Sequence, residues 1–242
     1  MIGIFNLGYQ VGGQTILDGV ELEFRLGETF VILGPSGCGK STLLRLIMGL
    51  IKPTSGWIEI DGQNTLNLSK NEWQEVRHKM GMVFQSAALF DSLTVFENVA
   101  FSLRRKGFSE KDIRERVIQS LSIVGLSEDN AVKMPSDLSG GMKKRAAIAR
   151  AIAIKPPILL YDEPTTGLDP IIADTINDLI LNLQQSLGIT SIVVTHDIIS
   201  ALKVADRIGL LYQGKLVEVR NRSDIAEAQH PLLRQFFKNY RL

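Results

Sequence analysis

Short apolar runs bounded by Gly, Pro or polar turn residues punctuate the chain at 30–33, 157–161 and 191–194. Runs of this length without alternation read as buried parallel strands. Segments of helical period alternate with them at 41–50, 141–154 and 171–188, which predicts an α/β core with crossover helices. Residues 2–9, 15–25 and 56–61 are instead half-polar and turn-bounded, as in an antiparallel sheet with one wet face. Between Gln85 and Ser139 the strand-like runs disappear, and 93–106 and 109–125 carry helical period, which predicts a helical insertion. The last residues, 230–242, place Leu232, Leu233, Phe236 and Phe237 in a short basic helix expected to pack on its own domain.

Composition narrows the picture. A chain of 242 residues, 45% hydrophobic and 22% charged, buries a substantial core as one large domain or two small ones. Disorder, collagen and small disulfide scaffolds are excluded. With 27 Lys and Arg against 26 Asp and Glu, the chain lacks the basic excess of a nucleic-acid binder, so none is expected as a partner. The single cysteine, Cys38, cannot pair within the chain, and the cytosol is the default compartment. No apolar run approaches the roughly 18 residues needed to span a bilayer. A membrane would therefore be reached through a partner.

The strand at 30–33 runs into Gly34, Pro35, Ser36, Gly37, Cys38, Gly39, Lys40, Ser41 and Thr42, and then into a helix. This satisfies the phosphate-loop pattern G-x-x-x-x-G-K-[ST] in its strand-loop-helix context. Glycines let successive backbone N–H groups turn inward around a phosphate, and the helix N-terminus adds partial positive charge. Lys40 reaches the β and γ phosphates, the Ser41 hydroxyl ligates Mg²⁺, and Thr42 contacts the α phosphate. By composition alone the string arises in about one chain in a hundred of this length. Cys38, inside the loop, predicts that a bulky thiol reagent reaching it blocks nucleotide binding.

A second apolar strand ends in two acids, Asp162 and Glu163. Neighbours on a strand face opposite ways, so the pair offers two roles: Asp162 in the Mg²⁺ shell and Glu163 as general base for the attacking water. Further back, Leu138, Ser139, Gly140, Gly141 and Met142 open a long helix carrying Lys143, Lys144, Arg145 and Arg150. Taken alone, that is a capped helix start.

The order of these motifs resembles the ATP-binding subunits of ABC transporters along essentially the whole chain. The matching residues are Tyr9, the loop at 34–42, Gln85, the Ser139 to Met142 turn, the strand ending in Asp162 and Glu163, Gly167-Leu168-Asp169, and His196. One departure is Met142, where many members have Gln. The resemblance implies a RecA-like P-loop NTPase core with an N-terminal antiparallel β subdomain, forming one ABC ATPase domain over 1–242 with a helical subdomain at about 87–145. It implies ATP as substrate and Mg²⁺ as cofactor, with Ser41, Gln85 and Asp162 around the metal. Lys40, Gln85, Glu163 and His196 are the implied catalytic set, and Tyr9 stacks on adenine. Ser139, Gly140, Gly141 and Asp169 act in trans, on ATP held by a second copy in a head-to-tail dimer. His78 and His230 match no motif and are expected at the surface.

Within the family, residues 84–99, 138–145 and 161–170 look most like the Mla/Mce-associated lipid-transport ATPases, the MlaF-like branch. That branch implies a membrane permease docked near 86–106, an MCE-domain lipid-binding protein, in some systems a small STAS-domain protein, and a place on the cytoplasmic face of the inner membrane. The same nucleotide site would serve an FtsE-like regulatory subunit that moves no substrate, or an importer ATPase for another solute. An SMC-type ATPase is set aside, because Lys40 and Ser139 are only 99 positions apart and no sustained heptads lie between them.

Overall fold

The computed structural model describes residues 2–237. Two sheets share the core. The first is antiparallel, in the order β2-β1-β4-β5, from β1 (Ile2–Val11), β2 (Gln14–Phe24), β4 (Ser55–Ile60) and the short β5 (Gln63–Asn64). The second half of β2 alternates buried Val20, Leu22 and Phe24 with exposed Glu21 and Glu23, as a half-polar strand requires, whereas β1, interrupted by register shifts, buries Ile2 to Ile4 together and then Leu7 and Gly8.

The second sheet has the order β10-β9-β3-β8-β7-β6. Its strands are β3 (Thr29–Leu33), β6 (Met80–Val83), β7 (Ile158–Asp162), β8 (Thr190–Thr195), β9 (Arg207–Tyr212) and β10 (Lys215–Asn221). All neighbours are parallel except β9 and β10, a hairpin at the edge. β3, β7 and β8 are buried at every position, which explains their unbroken apolar runs. Helices α6 (Pro170–Leu187) and α7 (Ile198–Val204) return the chain between them, while α1 (Lys40–Ile47) follows β3 and leads to β4 of the first sheet.

β6, β9 and β10 were not distinguished by the sequence pattern, nor was α2 (Lys70–His78). β6 is four residues long, and α2 buries only Val76, so neither carries a full period of apolar positions. Ser69 and Glu72 nonetheless form a reciprocal capping box at the start of α2.

No described strand lies between Val83 and Ile158. That stretch holds α3 (Val95–Arg105), α4 (Glu110–Ile123) and α5 (Gly140–Ile152), which pack on one another. Thr94 caps α3 with Glu97 in a second capping box. Val99, Leu103, Val117, Leu121 and Ile148 are completely or almost completely buried between these helices and the larger sheet. The terminal helix, α8 (Pro231–Phe237), buries Leu233 and Phe237 in the same core, as its apolar stripe predicts. Residues 238–242 lie outside the described chain.

Candidate nucleotide site

Four parallel strands deliver the site. Leu33 of β3 pairs with Thr195 of β8, Asp162 of β7 with Val194, and Val83 of β6 with Tyr161. Everything just beyond these residues therefore lands at one edge, the carboxyl ends of the strands, where open α/β sheets bind ligands. A cavity of about 320 Å³ opens there, lined by Ile16, Ser36, Gly37, Gly39, Lys40, Ser41, Thr42, Gln85, Glu163 and His196.

The loop after β3 is shaped by tight approaches. A Cβ at Gly34 would stand 2.3 Å from the Leu211 carbonyl oxygen. Gly39 has φ +107°, and a Cβ there would sit 2.7 Å from the Leu17 side chain; only glycine occupies such a position without strain. α1 begins directly after it, with no side-chain cap on its first N–H groups. Those groups are free for an anion.

Lys40 is buried, and its Nζ donates to the carbonyls of Gly34 at 2.8 Å and Pro35 at 3.1 Å. The same ammonium is 3.4 Å from Glu163 Oε1. The other carboxylate oxygen of Glu163 is 2.8 Å from His196 Nδ1 and accepts the Thr166 hydroxyl at 3.1 Å. A nearly buried carboxylate is thus flanked by a cation and an imidazole, which satisfies the requirement that a buried charge be paired.

Asp162 and Glu163 do diverge, but not by strand alternation. β7 ends at Asp162, and Glu163 takes φ +48°, a left-handed conformation that costs roughly 1–2 kcal/mol for a residue with a Cβ. Asp162, the last strand residue, faces Ser41, whose hydroxyl donates to Oδ1 at 2.7 Å, while the turn carries Glu163 toward Lys40 and His196. The Ser41 hydroxyl on the cavity wall, with the Asp162 carboxylate bonded to it, fits Mg²⁺, which uses one or two carboxylates and fills its shell with phosphate and water oxygens. Among the described residues no cluster of three or more His, Cys, Asp or Glu could hold a metal unaided. Gln85 is exposed and lines the same cavity as Ser41.

Other sequence-derived residues lie outside this cavity. Tyr9 is half-buried on β1 and pairs with Leu17, next to Ile16 on the cavity wall. Ser139 caps α5 through Met142 N–H at 3.3 Å and, with Gly140, is exposed. Asp169 caps α6 by accepting from the N–H groups of Ile171 and Ile172. Gly141 packs under Ile172, whose Cγ2 would stand 2.6 Å from an added Cβ. Cys38 is buried, and desolvation raises its thiol pKa despite the opposing pull of Lys40, so ready access by a bulky reagent does not hold. His78 and His230 are half-buried rather than fully at the surface, His78 beside Glu75 and His230 against the Tyr212 ring.

Two residues of the site were not singled out by motif. Lys144 is buried, and its Nζ donates to the Gln85 carbonyl at 2.6 Å and to those of Phe84 and Glu163 at 3.4 Å. Burial lowers its pKa to about 8, while Asp162 and Glu163 pull the other way. Arg150, two turns along α5, donates to the carbonyls of Ala87 and Ala88, both with positive φ. The available signal was spacing: Lys144 shares a helix face with the buried Ala147, Ile148 and Ala151.

Fold and site together define a P-loop nucleoside triphosphatase. The family model for ABC transporter matches residues 17–166. Over 239 residues the chain is 43% identical to the intermembrane phospholipid transport system ATP-binding protein MlaF of Haemophilus influenzae, covering 98% of this chain and 90% of that protein. It is 44% identical over 240 residues to the methionine import ATP-binding protein MetN of Carboxydothermus hydrogenoformans, covering 98% of this chain and 71% of that one. Among solved structures, a dimeric ATP-binding cassette in a post-hydrolysis state, bound to ADP and Pi, is similar with a TM-score of 0.84 and 38% identity, covering 92% of this chain and 99% of that chain. The chain belongs to the ABC transporter family, as its ATP-binding, ATP-hydrolysing domain.

Proposed function

We propose that this chain is the motor subunit of a membrane ABC transporter that moves phospholipid or another lipid between membranes. The observation that carries the lipid reading is the 43% identity to the phospholipid-transport ATP-binding protein, of which the chain spans 90%. A second reading, import of a small solute, rests on the 44% identity to the methionine-import protein, of which it spans 71%.

In this reading Tyr9 stacks on adenine, the 34–42 loop with Lys40 holds the phosphates, and Ser41, Asp162 and Gln85 hold Mg²⁺. The metal, when bound, neutralises charge on the β- and γ-phosphate oxygens. Glu163 accepts the proton of the attacking water, and His196 fixes the carboxylate and contacts the γ-phosphate. Ser139, Gly140 and Asp169 are exposed and absent from the cavity lining of their own chain. That placement supports a head-to-tail dimer in which each copy's Ser139 to Gly141 turn and Asp169 close over ATP held by the other. The similar cassette is itself dimeric, which supports pairing with a second copy.

A permease helix docks beside 86–106. Phe90 and Phe101 are exposed there, with ring centroids 4.8 Å apart, over a hollow lined by Leu50, Met82 and Phe84. The neighbouring groove, about 770 Å³, is lined by Lys52, Lys70, Arg105 and Lys106 among others and by no carboxylate, which suits an acidic stretch on that helix. No helix among the described residues is long and apolar enough to cross a membrane. In this reading the docked permease is what holds the chain on the cytoplasmic face of the inner membrane. In the lipid reading an MCE-domain protein and, in some systems, a small STAS-domain protein complete the assembly.

Co-purification with the permease followed by mass spectrometry of bound small molecules tests the substrate. Phospholipid retained in proportion to the complex, and absent from the isolated ATPase, is the expected result. An amino acid or other polar solute retained in its place would select the importer reading.

A further inference from the structure

Lys144 is a buried cation that none of the nucleotide-handling motifs requires. It belongs to α5, the helix whose N-terminus carries the exposed Ser139 and Gly140, yet its ammonium lies under the neighbouring sheet edge. There it donates 2.6 Å to the main-chain carbonyl of Gln85 and 3.4 Å to that of Glu163. These carbonyls belong to segments leaving adjacent strands, β6 and β7. Glu163 also needs such a partner for its own sake. Its backbone is left-handed, its N–H is anchored to Val194 O at 2.9 Å, and its carbonyl is otherwise engaged by the Thr166 N–H at 3.3 Å. A strained conformation persists only where the surroundings over-determine it.

We infer that Lys144 is a positioning residue for hydrolysis: one ammonium ties the main chain of Gln85 to that of Glu163, and thereby fixes both side chains relative to the phosphate cavity. The inference rests on the reading of Glu163 as the general base. Because Lys144 rides on α5, the tie also makes the placement of both residues depend on where that helix sits. When a second copy's ATP draws on the Ser139 end of α5, the pull reaches Gln85 and Glu163 through Lys144 without passing through a side chain that touches nucleotide. Arg150 extends the hold on the same loop, at Ala87 and Ala88. Lys144 itself lines no part of the cavity, so it binds nothing that reacts.

The test uses the full chain and compares Lys144→Met, which keeps the stem and removes the donors, with Lys144→Arg, which restores them. Displacement of a reacting group by about 1 Å costs on the order of a hundredfold, so Lys144→Met is expected to lose at least about tenfold in kcat. Its KM for ATP and the ATP-driven shift in size should stay near wild type, and Lys144→Arg should recover most of the loss. A merely structural role would lower the melting temperature and weaken ATP binding along with kcat, and that pattern overturns the inference. So does a Lys144→Met kcat within about twofold of wild type. Should Lys144→Met fail to fold, Lys144→Gln, whose shorter stem cannot tie the Gln85 carbonyl to that of Glu163, takes its place with the same loss expected. Glu163→Gln in parallel separates the two claims. If it is inactive while Lys144→Met is normal, only the positioning claim fails; if it turns over at the wild-type rate, the general-base reading fails with it.

Discussion

His196 Nδ1 lies 2.8 Å from Glu163 Oε2, while Lys40 Nζ lies 3.4 Å from Oε1 of the same carboxylate. Lys40 and His196, 156 positions apart, thus meet on one side chain, because β3, β8 and β7 lie side by side in parallel and end at the same edge. His196 is half-exposed and Glu163 nearly buried, so the imidazole forms the solvent-side wall of that carboxylate. His196→Ala is expected to lower kcat by about a hundredfold, within the usual range for a general acid–base partner, with ATP affinity retained. Steady-state turnover alongside nucleotide binding checks this; an equal loss in both would place His196 in binding rather than in catalysis.

Lys40 holds the loop and, in the proposed function, the phosphates as well. Lys40→Ala leaves the Glu163 carboxylate without its cation and the Gly34 and Pro35 carbonyls without their donor. ATP affinity should fall by at least about tenfold, since each charge-assisted contact contributes roughly 1.5–3 kcal/mol. Titration with a fluorescent nucleotide measures it, and an unchanged Kd would remove the basis for the phosphate-loop assignment.

Much of this was legible in the sequence, and the reasons differ by element. β3, β7 and β8 are buried on both faces, so their apolar runs are continuous and visible. The phosphate loop is visible because its chemistry restricts residue type at nearly every position. Lys144 was hidden in the run Lys143, Lys144, Arg145, which looks like a solvated helix face until its neighbours place it inside. The divergence of Asp162 and Glu163 was expected for a strand and is produced by a left-handed residue that no periodicity reports. Cys38 was read without its burial, which only tertiary packing supplies.

That burial bears on the condition of the Cys38 expectation, access of a bulky reagent to the thiol. With its pKa raised by desolvation, the thiolate fraction at neutral pH is below that of a free cysteine, and the Sγ is shielded by the loop. Alkylation by a bulky maleimide should be slow at pH 7 and accelerate as the pH is raised beyond the ordinary thiol range. ATP should slow it further, and Cys38→Ser should abolish it. Mass spectrometry of the labelling time course decides the matter, and rapid labelling at pH 7 would contradict the buried placement.

Asn98 clasps the segment that leads from Gln85 into α3. Its carbonyl oxygen accepts the Phe90 N–H at 2.8 Å, and its amide donates to the carbonyls of Phe90, Leu93 and Thr94. The side chain is fully buried, so Asn98→Ala leaves a donor and several acceptors unsatisfied and should cost about 2–3 kcal/mol of stability. Denaturant unfolding measures this. A loss below about 0.5 kcal/mol would show that the segment re-pairs with water at no cost.

The account turns on Glu163 as the base and on a site completed by a second copy. Size-exclusion chromatography with light scattering, on Glu163→Gln with ATP and Mg²⁺, tests both at once. The account predicts a stable dimer holding two unhydrolysed ATP, which reverts to monomer when nucleotide is removed. A Glu163→Gln protein that stays monomeric and hydrolyses ATP at the wild-type rate would contradict it.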